Sequence, residues 1–285
     1  MHILFNTLTK TAQNSKMKVD DCMNLYLLSK GINNMIIDKV YKVSAFGDFT
    51  DIKATTENMM FLLETFKTYG LIPTLTTEFN ITASIDGSQA PVQNQVQRLA
   101  LISNDNSEQI MIGTNRIDYT ITATSDIKFV EENFIEFNKK IIGAFSEIFK
   151  QFNKKANRIA LNTESLIVNL TNDEIVNLMS KFTNPLSMYQ KELDEWNTHL
   201  MIRCDEEIEQ LEKINVITNL SKIIYNKVIN EESIPEIGFL VQMDINTIAE
   251  NITQRFTTKN IEKFINIAHG FWNNVIDELK EKYEK

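Results

Sequence analysis

Two cysteines, three histidines, four prolines and eight glycines are few for a chain of 285 residues, and each scarcity closes off a class of function. Cys22 and Cys204 lie far apart and form no disulfide framework, so a reducing compartment fits. With the scattered His2, His199 and His269 they do not assemble into a zinc set. No two glycines sit close enough to cradle a phosphate, which argues against nucleotide hydrolysis. So few prolines and glycines also argue against disordered linkers. The segment Met1–Lys16 has too short an apolar run for a signal peptide. No later stretch approaches the ~18 continuous apolar residues of a membrane span. A cytoplasmic protein with no membrane partner is the expectation.

Positive charge is also in short supply. A net charge of −9 leaves no broad surface for neutralising phosphates. Lys139, Lys140, Lys150, Lys154, Lys155 and Arg158 do cluster, but in and just beyond the end of a helix, where cations favour the helix dipole. A nucleic-acid partner is therefore not expected. The 43% hydrophobic and 24% charged fractions are those of an ordinary globular chain. The length suits one large domain or two intimately joined ones. Heavy use of Asn, Ile and Lys points to an AT-rich genome.

What the chain does have is a pattern that occurs twice. Strand-like segments lead into a long amphipathic helix, first through Gln109–Thr122 into a helix beginning near Ser125. The second copy runs through Glu236–Ala249 into a helix beginning near Thr258. In Arg116–Thr122, Ile117, Tyr119 and Ile121 alternate with polar residues, as a sheet with one wet face requires. Over Asp126–Phe152, Ile127, Val130, Phe134, Phe137, Ile141, Phe145, Ile148 and Phe152 form one helical stripe. Ile261, Phe264, Ile265, Ala268, Trp272, Val275, Ile276 and Leu279 form another. The segment Met35–Tyr41 reads equally as strand or buried helix turn.

Further elements follow from local signals. Thr55–Tyr69 reads as a helix capped by Thr56 and ended by Gly70. Thr74–Ser84 and Gln97–Ser103 read as strands around a turn at Asp86–Gly87. Arg158–Leu170 reads as a strand, Asp173–Lys181 as a helix capped by Asn172 and broken at Asn184–Pro185. Strands His199–Cys204, Ile214–Tyr225 and Gly238–Ile248 follow, with a turn at Glu232–Pro235. The expected fold is α+β, with one or more antiparallel sheets backed by two long amphipathic helices and an internal duplication of a strand-strand-strand-helix unit. Residues 1–73 read as a mixed N-terminal segment. Residues 74–155 and 156–285 read as the two units, packed as one body.

Gln97-Arg98-Leu99-Ala100-Leu101-Ile102-Ser103, the hairpin with Asn115-Arg116-Ile117-Asp118-Tyr119, the long helix and Arg158-Ile159-Ala160-Leu161-Asn162 together resemble a family. It is a sporadically distributed family of uncharacterised bacterial and archaeal proteins, similar over roughly residues 90–285. The chain departs from it at Ala160 and Asn162, where members often carry Gly and Arg, which removes a second arginine there. The resemblance implies a prokaryotic origin, a shared fold and a scattered gene distribution of the kind seen in antiviral defence or toxin-linked loci. It implies no activity.

The chemistry-bearing residues give no catalytic set. His199 and Cys204, five residues apart, fall on opposite faces of a strand, and His269 has no acidic neighbour at i±4. The run Glu192, Asp194, Glu195, Asp205, Glu206, Glu207, Glu209 and Glu212 suggests hard-cation binding, but such runs are usually solvated surface. Asp126-Ile127-Lys128 matches a nuclease-like pattern only at the opening of a helix. No catalytic residue, metal ligand or cofactor is assigned. Arg98, Arg158 and Arg203 are the candidate binding residues, because strand arginines facing a core need carboxylate or phosphate partners. Three functions follow. The leading one is a non-enzymatic interaction or regulatory subunit with a protein partner, for which homo-oligomerisation is compatible. The second is a small-molecule binder with a pocket between sheet and helix, lined by Tyr119, Phe137, Phe145 and Trp272. The third is an enzyme with a dispersed polar site.

Overall fold

Strand alternation decides which side of this protein is buried. The computed structural model describes residues 36–82, 92–123, 131–182, 195–229 and 232–284. Along the chain these form β1 (Ile36–Phe46), α1 (Thr56–Phe66), β2 (Leu71–Thr82), β3 (Val92–Ser103), β4 (Glu108–Ile112) and β5 (Arg116–Thr122). There follow α2 (Glu131–Gln151), β6 (Arg158–Ile167), α3 (Asn172–Phe182), β7 (Asn197–Glu207), β8 (Leu211–Ile229), β9 (Glu232–Thr247) and α4 (Thr258–Glu284). The fold is α+β. All the described strands join a single nine-stranded antiparallel sheet in the order β2-β3-β4-β5-β1-β6-β9-β8-β7.

The ambiguous segment near Met35 is β1, and it lies at the centre of the sheet. Val43 pairs with Tyr119 on one side and Leu161 on the other. Tyr41, Val43 and Ala45 share one face with Ile117, Tyr119 and Ile121, with Ile159 and Leu161, and with Met243 and Ile245. Helices cover that face. From α2, Phe134, Phe137, Ile141, Phe145 and Ile148 are buried in the same cluster, as are Ile261, Phe264, Ile265, Ala268 and Trp272 from α4. Each of the Ile and Phe side chains contributes about 1.5–3 kcal/mol on burial. Helix α3 packs through Ile175, Leu178 and Met179 onto Val241, Leu220 and Leu279. No helix among the described residues packs on the other face.

Several local readings shift by a residue or more. The cap of α1 is Thr55, whose hydroxyl accepts from the Asn58 amide at 3.3 Å, and not Thr56. Helix α3 is capped by Thr171 and not Asn172. The Thr171 hydroxyl accepts from the Glu174 amide at 3.3 Å, while Glu174 accepts from the Thr171 amide at 2.7 Å, a reciprocal capping box. Glu232–Pro235 is not a turn but the start of β9. Pro235 pairs with Asn226 where β9 has β8 on one side only, so its missing N–H costs no ladder bond. The turn at Asp86–Gly87, the helix start near Ser125, Asp126–Lys128, Asn184–Pro185 and Cys22 lie outside the described residues. Where β8 and β9 run on beyond β6, Gly238 lets the Tyr225 ring lie across it. A Cβ there would meet the Ile167 carbonyl at 2.6 Å and the ring at 3.1 Å.

One ion pair ties the second half together. Arg255, in the loop before α4, donates Nε to Glu212 Oε1 at 2.7 Å and a terminal nitrogen to Oε2 at 2.8 Å. Its other terminal nitrogen donates to the Asn157 carbonyl at 2.5 Å, and the guanidinium lies over the Phe256 ring. These contacts join the start of β8 to the loops before β6 and α4. The hydrogen bonds from Arg255 hold the Glu212 carboxyl below the usual carboxylate range. Burial opposes the shift and Gln210 reinforces it. A depressed folded-state pKa adds stability above the unfolded pKa and loses it as pH falls through the folded one. We predict that Arg255→Ala destabilises the fold by about 3 kcal/mol or more at pH 7. In urea titrations the gap between wild type and Glu212→Gln should narrow steadily as the pH falls below the carboxylate range. A constant gap would contradict this role.

Candidate functional site

Arg98, Arg158 and Arg203 all lie on the face of the sheet that no helix covers, because their strand neighbours Leu99, Ile159 and Cys204 face the core. They do not converge. β4, β5 and β1 separate Arg98 from Arg158, roughly 19 Å at the usual strand spacing. β9 and β8 separate Arg158 from Arg203, roughly 14 Å. Arg98 is 2% exposed, and its guanidinium donates to the carbonyls of Ile112 (3.2 Å), Phe49 (2.7 Å) and Gly113 (2.6 Å). Glu78 lies 3.6 Å away and also accepts from the backbone and hydroxyl of Thr114. Arg98 thus clamps the β4–β5 turn and the chain after β1. Arg158 is half-buried over the Phe46 ring and donates to the Thr247 carbonyl at 3.1 Å. Burial lowers its pKa, against the pull of Asp244 and Glu250. Arg203 is exposed and donates to Asn215 at 2.8 Å.

The helix-free face around them is a polar ladder. Asn215 donates to Asn246 at 3.2 Å, and Asn246 to Asp244 at 2.9 Å. Gln242 donates to Glu164 at 2.9 Å, and His199 Nδ1 lies 2.7 Å from the Asn219 oxygen. Arg116 pairs with Asp118 at 2.9 Å. At the centre Ser44 and Ala160, paired in register, are small and buried. Charges nearly balance here, with Lys42, Arg116, Arg158 and Arg203 facing Asp118, Glu164 and Asp244. Polar groups that satisfy one another this way make a rigid surface rather than a reactive one.

The remaining chemical candidates are engaged structurally. His199 and Cys204 fall on opposite faces of β7. The Cys204 thiol packs against the core and points to the Ile214 carbonyl at 3.7 Å, and burial pushes its pKa up, with Glu206 and Asp205 adding. His269 stacks on Phe134 and lies 3.0 Å from the Asn273 amide. From the acidic run, Glu212 holds Arg255 and Glu209 accepts from Asn260 at 2.9 Å. No group of three or more His, Cys, Asp and Glu side chains among the described residues could hold a metal ion. Tyr119 donates to Glu108 at 2.8 Å, and Lys140 binds the other oxygen of that carboxylate at 2.8 Å. One lysine of the basic cluster is therefore a strut between α2 and β4. Tyr119, Phe137, Phe145 and Trp272 are core packing.

What residue-type reasoning missed is the pair of sheet edges. On β2, Ile72, Leu75 and Phe79 are 51–55% exposed, and on β7, Leu200, Met201 and Ile202 are 45–59% exposed. Edge strands are usually guarded by Lys, Pro or a covering element. β7 contains neither Lys nor Pro, and β2 has only Pro73 near its start. The one charge in β2, Glu78, is turned onto Thr114 and Arg98. The sequence signal was present: Leu200-Met201-Ile202 breaks the alternation of a strand with one wet face. No family model, curated protein or solved structure matches the chain. Among the described residues no helix is long and apolar enough to cross a membrane.

The two outer arginines should separate in mutagenesis. Arg98→Lys and Arg98→Ala are each expected to cost about 2–4 kcal/mol, since three carbonyls lose donors that only the guanidinium fork reaches together. Arg203→Ala should stay within about 0.5 kcal/mol of wild type. Chemical denaturation of the three variants checks this, and equal losses at both sites would refute it.

Proposed function

We propose that the chain is a non-enzymatic interaction protein, a regulatory or accessory subunit that engages another protein through the edges of its sheet. The observation that carries this reading is the set of large apolar side chains exposed along β2 and β7, whose outer edges have no partner strand among the described residues. An edge of this kind is a template for an added strand, in which main-chain hydrogen bonds supply affinity and alternate side chains supply specificity. The polar face supports the same reading, because most of its side chains are engaged with neighbouring polar groups of the chain itself. Its near-neutral balance also offers little to a phosphate backbone.

Two finer readings belong to this proposal. The sheet order mirrors itself about the β1–β6 pair, and the runs β1-α1-β2-to-β5-α2 and β6-α3-β7-to-β9-α4 follow one plan. This favours an internal duplication with α2 and α4 as the long backing helices and one strand fewer in the second copy. Membership of the sporadically distributed prokaryotic family, and with it a place in a defence or toxin-linked locus, rests on the resemblance of residues 90–285. Phage survival unchanged by deletion of the gene would remove the defence link.

The test is purification of the full chain from its native host, followed by mass spectrometry of intact complexes. A stoichiometric protein partner is expected. The double variant Leu75→Lys/Phe79→Lys should lose that partner by at least about tenfold while keeping the wild-type circular dichroism spectrum. A chain that carries no protein but a bound small molecule would overturn the proposal in favour of a ligand-binding role.

A further inference from the structure

The β7 edge carries more information than exposure alone. Its residues run Asn197, Thr198, His199, Leu200, Met201, Ile202, Arg203, Cys204, Asp205, Glu206, Glu207. The inner edge is paired along its whole length to β8, from Asn197 opposite Ser221 to Glu207 opposite Leu211. Among the described residues no strand pairs with the outer edge. Met201 lies at the middle of the exposed triplet, with an apolar residue on each side, then His199 and Arg203, then neutral Asn197 and acidic Asp205.

This order is self-complementary under a two-fold axis. Laid antiparallel against a second β7 with Met201 opposite Met201, each Leu200 faces the other copy's Ile202 on one side of the sheet. Each His199 faces an Arg203 on the opposite side, and each Asn197 faces an Asp205. The three exposed apolar side chains are covered by their own counterparts. The acidic ends, Asp205 to Glu207, are carried to opposite ends of the pair, where Glu207 opposite Glu195 is the one like-charged match that remains. A parallel arrangement would stack those same carboxylates side by side, and opposed like charges are destabilising. A closed two-fold contact also uses up both β7 edges and does not propagate through them into a filament.

We propose that the partner of β7 is a second copy of this chain, joined antiparallel about Met201 into one continuous sheet. This rests on the edge-docking reading above and gives one of its two edges, β7, a partner of its own kind. The opposed Met201 Cα atoms then lie about 4.5–5.5 Å apart, whichever of the two antiparallel pair types they occupy. That separation is within reach of a disulfide.

The experiment uses the full chain with Cys22→Ser and Cys204→Ser. Sedimentation equilibrium should show a dimer at micromolar concentration, and Met201→Cys should cross-link it almost completely under mild oxidation. Asn197→Cys, which does not face itself, should not cross-link. Met201→Lys should weaken the dimer on the order of 100-fold, because two-fold symmetry counts each lost contact twice. A monomer at every concentration overturns the proposal. So does a dimer that survives Met201→Lys, or one whose Met201→Cys form does not cross-link. A monomer that still carries its host partner through β2 would overturn the dimer alone and leave the interaction reading in place.

Discussion

The pairing of β1 with β6 is the constraint on which the rest of this molecule depends. Among the described residues it is the only ladder that joins the strands before α2 to those after it. Ten registered pairs run from Ile36 opposite Ile167 to Phe46 opposite Arg158. On one face it places Tyr41, Val43, Ile159 and Leu161 beneath the helices. On the other it sets Ser44 against Ala160, two residues small enough to let the flanking polar rows close in. A slip of one residue would turn one strand's apolar set, that of Val43 or that of Leu161, onto the polar face and bring Lys42 or Asn162 beneath the helices. The bulge between Asp38 and Val40 therefore falls at one end of the ladder and not in its middle.

Away from that axis, arginines do the fastening. Arg98 in the first half and Arg255 in the second each satisfy backbone carbonyls where loops close over the ends of strands. Each is nearly buried and partnered by a carboxylate, Glu78 or Glu212. Loops that would otherwise bury unpaired carbonyls become rigid margins of the sheet. The two devices differ in strength. The Glu212 pair is bidentate and close, whereas Glu78 stands 3.6 Å from Arg98 and spends its oxygen mainly on Thr114.

Legibility in the sequence followed the physics of each element. β5 could be read residue for residue, because a strand with one dry and one wet face must alternate. The stripes of α2 and α4 could be read because each helix packs on one side only. β1 could not, since Met35-Ile36-Ile37 is an unbroken apolar run and a central strand needs no strict alternation. Helix caps shifted by one because adjacent threonines, Thr55 and Thr56, offer the same chemistry and only backbone geometry chooses between them. Arg98, Arg158 and Arg203 were singled out by residue type, but their direction depends on register across distant strands. Arg255 escaped notice because it lies in a loop, and its partner Glu212 because it ends an acidic run that reads as solvent-facing.

The central position of β1 has a consequence for how the chain comes to be folded. Its two neighbours in the sheet, β5 and β6, arrive much later in the chain, and β6 follows more than a hundred residues behind. At ordinary rates of synthesis, β1 waits on the order of ten seconds for that partner. During this interval one side of the strand that will become the middle of the protein is still an edge. Contacts this distant in sequence are slow to close even in the free chain. The strand at the centre of the finished sheet is thus the one longest at risk while it is made, and Asp38, Lys39 and Lys42 give it charge during that wait.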